Sequence, residues 1–305
     1  MRVRLVHLDG SLRAQADFLA ACGAQAQHVE AQELGRRMRL WTRGRRLRAF
    51  VARLEAAGEP PGDGPVASFL GSGDFHHLTA ALVARLPGPL TVIHFDNHPD
   101  FVRLAMPFHC ASWVNRVLAL PNVARVVTVG PCADLAMPQR DLGNLAAVAD
   151  GRLELYPYRH GPSRVWGHFG SGPGHVQQGR LLHWRNVGEE DWSAFWNEVL
   201  TRVPARRVYI TIDKDVLAPP AAATNWDQGQ MPLEDLLAAL RIIGRRCEIA
   251  GVDVVGDYSP VTGVGAARRL FGWLDHPAGN PDPVLAARCN DSTNVAILHA
   301  LREVA

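Results

Sequence analysis

Lysine is almost missing from this sequence: of 32 basic residues only Lys214 is a lysine, a bias read as genome composition rather than function. No stretch approaches 18 consecutive apolar residues, so a membrane-spanning helix is not expected. The five cysteines (Cys22, Cys110, Cys132, Cys247 and Cys289) are odd in number, widely spaced and without a CxxC pair. That argues against a disulfide framework and a thiolate zinc site, and leaves Cys110 the most interesting by its neighbours. The 32 basic and 30 acidic side chains leave a formal charge of only +2, no field to draw nucleic acid. The first residues lack the apolar run of a signal peptide, so a cytoplasmic protein is expected.

What remains is 305 residues, 47% hydrophobic and 20% charged, suited to a single domain over 1–305 with a variable loop region around 150–190. Apolar, β-branched runs fall at Val3–His7, Val66–Leu70, Leu90–Phe95, Ala124–Val129, Val208–Ile212 and Ile249–Val255. Helical patterns lie at Leu12–Cys22, Leu78–Arg85, Ala111–Leu120, Glu189–Val203, Leu233–Ile243 and Asn294–Glu303, and Pro232 ahead of Glu234 and Asp235 marks a helix start. The alternation predicts a three-layer α/β/α protein with a mostly parallel central sheet. Two stretches break the rhythm. Arg36–Arg48 holds seven arginines and reads as a solvated helix face before it reads as a nucleic-acid contact. Tyr156–Trp184, rich in Gly, Pro, His and aromatics, reads equally as a lid beside the sheet or as a surface excursion; its Gly170–Gly174 run lacks the context of a phosphate loop.

The chemistry concentrates where strands end. Leu90–Phe95 runs into Asp96-Asn97-His98-Pro99-Asp100, and on extended backbone the side chains at i, i+2 and i+4 share a face. Val208–Ile212 likewise runs into Asp213-Lys214-Asp215, with Lys214 facing the other way. A third strand ends in Gly71-Ser72-Gly73-Asp74-Phe75-His76-His77, where His76, with His77 as the alternative, would complete six ligands. One Asp pair at a strand end is ordinarily a cap. Five such ligands at two strand ends ask for cations, since isolated carboxylates do not gather in a dry site. Four carboxylates and two imidazoles form a hard, thiolate-free set that favours two Mn2+ over a tetrahedral zinc, and a water bridging two ions would ionise near neutral pH.

In this order the motifs resemble those of the arginase/agmatinase/ureohydrolase superfamily, over roughly Val66–Pro260. The resemblance implies an arginase-like fold and a binuclear manganese hydrolase, cleaving a C–N bond of a guanidino or amidino substrate with a metal-bridging hydroxide and releasing urea. It implies that His76, Asp96, Asp100 and Asp213 hold one ion and Asp96, His98, Asp213 and Asp215 the other, with Asp100 also orienting the hydroxide. It further implies His109 as a proton shuttle near the substrate and Asp257, with Asp253 as fallback, as the acid that receives the guanidinium. Three features depart from the common pattern: the extra Phe75 before His76, the short apolar segment from Phe101 to Phe108, and Thr224-Asn225-Trp226-Asp227-Gln228-Gly229 after the Asp pair. They point to an atypical arginase-like branch and to arginine, or an arginine residue in a peptide, as substrate. Expected partners are therefore a guanidino small molecule or an arginine-containing peptide, with no membrane, no nucleic acid, and self-association left open. Two rivals stand beside this reading: a zinc deacetylase of the histone-deacetylase type, favoured by the His76-His77 pair and opposed by Asp100 together with Asp215, and a non-catalytic metal-binding module.

Overall fold

The computed structural model describes residues 1–103, 108–133, 135, 142–276 and 281–304. Eight strands build the central sheet: β1 (Arg2–His7), β2 (Gln27–Glu30), β3 (Val66–Gly71), β4 (Leu90–Phe95), β5 (Val123–Val129), β6 (Leu153–Tyr156), β7 (Arg207–Asp213) and β8 (Glu248–Val255). Their spatial order is β2-β1-β3-β8-β7-β4-β5-β6, and every neighbouring pair is parallel. Among the described residues ten α-helices flank it: α1 (Ala16–Cys22), α2 (Gln32–Met38), α3 (Gly44–Ala57), α4 (Thr79–Val83), α5 (Trp113–Leu118), α6 (Leu145–Ala149), α7 (Trp192–Arg202), α8 (Leu233–Arg246), α9 (Ala266–Asp275) and α10 (Pro283–Glu303).

Successive strand side chains point to opposite faces, so the sheet separates two cores. Phe69, Ile93, Val127 and Ile210 pack with Phe18, Trp196, Leu240 and Leu301 of α1, α7, α8 and α10. Leu70, Val92, Val126 and Tyr209 pack with Phe50, Val83, Trp113 and Val117 of α3, α4 and α5. This is the expected three-layer arrangement. All six expected strands are present within two residues of their expected bounds. The two unanticipated strands, β2 and β6, are four-residue edge strands, and Gln27–Glu30 has a single apolar residue to announce it. Helix α10 begins at Pro283, capped by the Asp282 side chain, well ahead of the expected Asn294, because Asn290, Asp291, Ser292 and Thr293 mask its apolar period. Helices α6 and α9 were not expected, and α2 and α3 were foreseen only as the helix face read in Arg36–Arg48. Helix α8 follows Pro232 as read. Among the described residues no helix is long and apolar enough to cross a membrane.

The arginine-rich stretch is not a uniformly solvated face. Arg39 is buried, with its guanidinium paired to Asp74 and donating to the Ser259 and Pro260 carbonyls. The Tyr156–Trp184 region starts at the last residue of β6 and then forms a separate antiparallel sheet of Ser163–Arg164, His175–Gln178 and Leu181–Trp184.

Register decides what meets at the carboxyl edge. Ile212 pairs with Phe95, Asp213 with Val255, and Val255 with Gly71, so β4, β7, β8 and β3 end at one level. The residues that follow these ends are the chemically rich ones, where open parallel sheets place their ligands.

Candidate metal centre

Strand β4 stops at Phe95, so Asp96, His98 and Asp100 are brought together by a bend and not by the pleat expected from their spacing. The Asp96 Oδ1 accepts the His98 amide at 2.6 Å, which folds the segment back. Asp100 has φ +46°, a conformation a non-glycine residue holds only when its surroundings impose it. Two contacts impose it: its carbonyl accepts from the Val114 amide, and its Oδ2 accepts from Trp113 Nε1 at 2.6 Å. Asp213 ends β7, and Asp215 lies in the following 3-10 turn, whose first free amide, that of Asp215, is capped by Asp213 Oδ1. His76 comes from the 3-10 turn Gly73–Leu78 after β3.

These turns bring all six expected ligands into one buried cluster. His76 Nδ1 lies 3.0 Å from Asp96, 3.4 Å from Asp100 and 3.5 Å from Asp213. His98 Nδ1 lies 3.0 Å from Asp215 and 3.5 Å from Asp96. Ligand atoms of Asp96, His98 and Asp215 form one group with metal-site spacing, and those of His76, His94, Asp96 and Asp100 form another. Asp96 is common to both. Asp213 belongs to neither group and reaches the cluster through its approach to His76. His94 was not foreseen: it stands two residues before Asp96 on the same face of the strand, bonded to Asp96 at 2.8 Å and to Thr128 at 3.0 Å. Spacing alone could have found it.

The electrostatics call for cations. Burial pushes the carboxyls of Asp100, Asp213 and Asp215 above their usual range, and the neighbouring carboxylates push them further. Burial would raise Asp96 too, but the imidazoles of His76, His94 and His98 hold it well below. His76 Nδ1 is buried and, despite three carboxylates around it, makes no hydrogen bond of acceptable geometry. An orphaned imidazole nitrogen amid crowded carboxylates is what a divalent ion would satisfy. His76 is fixed from behind, because its Nε2 meets Thr211 Oγ1 at 2.9 Å, and Thr211 donates to Asp253 at 2.9 Å. Asp253 also accepts from Tyr209 and Thr79, so it is an internal brace. His77 turns away: it is buried, neither ring nitrogen has a partner, and burial lowers its pKa to about 3. Of the two histidines, His76 is therefore the one in the cluster.

Two expectations are corrected or qualified by position. Asp257 is not a cleft carboxylate: it is buried and paired with the Lys214 ammonium, with Asn294 and Ser11 nearby. Lys214 faces away from the cluster as expected, and in doing so it occupies the acid that was to receive a guanidinium. His109 lies one residue behind the cleft, which Gly73, Cys110, Ala111 and Trp226 line together with five of the six ligands. Its ring stacks on Trp41, its Nδ1 accepts the Ala111 amide, and burial lowers its pKa to about 4. Residues 104–107 of the apolar segment before it lie outside the described residues. The Tyr156–Trp184 region supplies none of the cleft lining. The Trp226-Asp227 loop does, unforeseen by the sequence reading except as a departure: Asp227 Oδ1 meets His98 Nε2 at 2.9 Å.

No family model matches the chain. An uncharacterised protein of Thermotoga maritima is 28% identical over 194 residues, a match spanning 64% of this chain and 59%, under two thirds, of that protein. Among solved structures, formimidoylglutamase from Bacillus subtilis superposes over 99% of this chain and 87% of its own, with TM-score 0.58 and 15% identity. Arginase from Bacillus subtilis superposes over 99% of this chain and 97% of its own, with TM-score 0.57 and 12% identity.

Proposed function

From the arginase-like fold that this chain shares with arginase and formimidoylglutamase, we propose that it is a binuclear metal hydrolase cleaving a C–N bond of a guanidino or amidino substrate. The observation that carries the reading is the convergence of His76, Asp96, His98, Asp100, Asp213 and Asp215 into one buried cluster with an orphaned imidazole nitrogen. These six would hold two ions, with Asp96 shared, and the oxygen-rich donor set favours Mn2+. When bound, two divalent ions supply Lewis acidity and acidify a coordinated water, which a resonance-stabilised guanidinium carbon requires of its attacker.

The chain's own groups do the rest. Asp100, locked by Trp113, presents a carboxylate at the cleft that orients the attacking water. His109, whose neighbours Cys110 and Ala111 line the cleft, is the group we assign to relay a proton to the leaving amine. Asp257 stays with Lys214 and has no part in substrate binding. The whole chain serves as one catalytic domain. Arginine or a peptide arginine fits a pocket wall carrying Trp226, which offers an aromatic face to a cation. A single-zinc deacetylase would leave the buried pair Asp100 and Asp215 without purpose.

The test is manganese loading followed by metal counting and a product screen for urea, or for formamide where the substrate is a formimidoyl compound. The screen covers arginine, agmatine, guanidinobutyrate, formimidoylglutamate and arginine-containing peptides. Two ions per chain and turnover of one amidino substrate are expected. Undiminished turnover by a metal-free Asp96→Ala protein would sink the reading.

A further inference from the structure

We infer that Asp227 is a positioning residue for the metal centre: its carboxylate holds the His98 ring so that Nδ1 faces the ions. The inference rests on the two-ion reading above and concerns a residue outside the six.

His98 has two ring nitrogens with opposite tasks. Nδ1 faces the cluster, 3.0 Å from Asp215 and 3.5 Å from Asp96. Nε2 faces the loop after β7, where Asp227 Oδ1 lies at 2.9 Å. A histidine binds a metal through an unprotonated nitrogen, so its proton must sit on the other one and needs an acceptor. Asp227 is that acceptor, and an ionised partner also raises the electron density of the ligating nitrogen. Trp226 packs against the same ring in a T-shaped contact, with centroids 5.6 Å apart. The imidazole is thereby held both at Nε2 and by an aromatic neighbour.

The carboxylate is not needed to shape its own loop. That loop is fixed by Gly229 donating to the Asp215 carbonyl at 2.6 Å, and by Trp226 Nε1 donating to Asp74 at 3.0 Å. Asn97 Nδ2 adds a bond to the Asp227 carbonyl at 2.9 Å, and Gln228 Nε2 one to the Ala222 carbonyl at 2.8 Å. Apart from a long 3.4 Å approach of Asn97 Nδ2, His98 is the partner of the Asp227 side chain. The carboxylate is also 48% exposed, so a structural ion pair here would contribute little to the fold.

The experiment titrates Mn2+ into the full chain, following free Mn2+ by its paramagnetic resonance signal, for wild type, Asp227→Ala, Asp227→Asn and His98→Ala. Wild type is expected to take up two ions. Asp227→Ala should weaken one of them by about 10–100-fold and leave the other unchanged. Asp227→Asn, which keeps an acceptor oxygen without the charge, should recover part of that loss. His98→Ala should lose the same ion. With Co2+ in place of Mn2+, the visible absorption of one ion should change in Asp227→Ala while the metal-free melting temperature stays put. Wild-type affinity for both ions in Asp227→Ala overturns the inference, as does equal weakening of both together with a lower metal-free melting temperature. A wild-type chain that binds no second ion is a different failure, since it removes the two-ion reading and this inference with it.

Discussion

Lys214 stands between two acidic ligands and faces away from both, fully buried against Asp257 and Asn290. Removing it leaves the Asp257 carboxylate buried without its cation, so Lys214→Ala should cost about 3–5 kcal/mol of stability, read from denaturant melts. A double variant, Lys214→Met with Asp257→Leu, should recover much of that loss. If the single variant is as stable as wild type, the pair is not the brace described. A second buried residue sets a pH response. His7 shares a 3.0 Å bond with His28, and burial, then the charge of Arg13, lowers its pKa from 6.5 to about 4. The unfolded chain therefore takes up that proton first, so stability is whole above pH 6.5 and declines as the pH falls toward 4. The slope is at most about 1.4 kcal/mol per pH unit, reduced by solvent screening. His7→Phe should flatten melting temperature against pH across that window; an unchanged slope would assign the response elsewhere. The six cluster residues were legible because each sits at the end of a readable strand or within five residues past it. Asp257 was not, because its partner arrives from 43 residues away, and sequence spacing carries no record of which charge meets it.

At the level of strands and turns, the approach of β8 to β7 is the tightest feature of the site. Gly256 follows β8 with φ +97°, and a methyl group there would stand 2.4 Å from the Lys214 nitrogen and 2.5 Å from Asp213 Oδ1. Gly256→Ala should therefore lower stability by more than about 1 kcal/mol and weaken metal uptake, measurable by melting with and without manganese. Retained metal affinity would mean that the turn tolerates the shift without moving Asp213. The central strands were readable because burial on both faces gives them unbroken apolar runs. Edge strands β2 and β6 and the polar half of α10 were not, since their places come from neighbours and caps. The same holds inside the site: the spacing of Asp96, His98 and Asp100 suggested a pleat, and a bend with a left-handed Asp100 does the work.

Over the whole molecule, the raised carboxyls of Asp100, Asp213 and Asp215 oppose the metal-free fold where they must ionise. Chelation should lower the melting temperature, and the gain on adding Mn2+ should approach about 2.7 kcal/mol at 100 times the dissociation constant. Since ions must displace protons from raised carboxyls, that gain should grow with pH between 6 and 8. A melting temperature indifferent to both chelator and pH would deny the cluster its cations. The level ending of β3, β4, β7 and β8 has a further consequence, for the nascent chain. A ribosome delivers His76, Asp96, His98 and Asp100 long before Asp213 and Asp215, while β7 and β8 are the strands that separate β3 from β4 in the finished sheet. The first four ligands therefore have nothing to hold them at the right distance until the last third of the chain slots into the gap. On the two-ion reading, ion capture would be a late event in biogenesis, open only to molecules whose sheet has already closed in the middle.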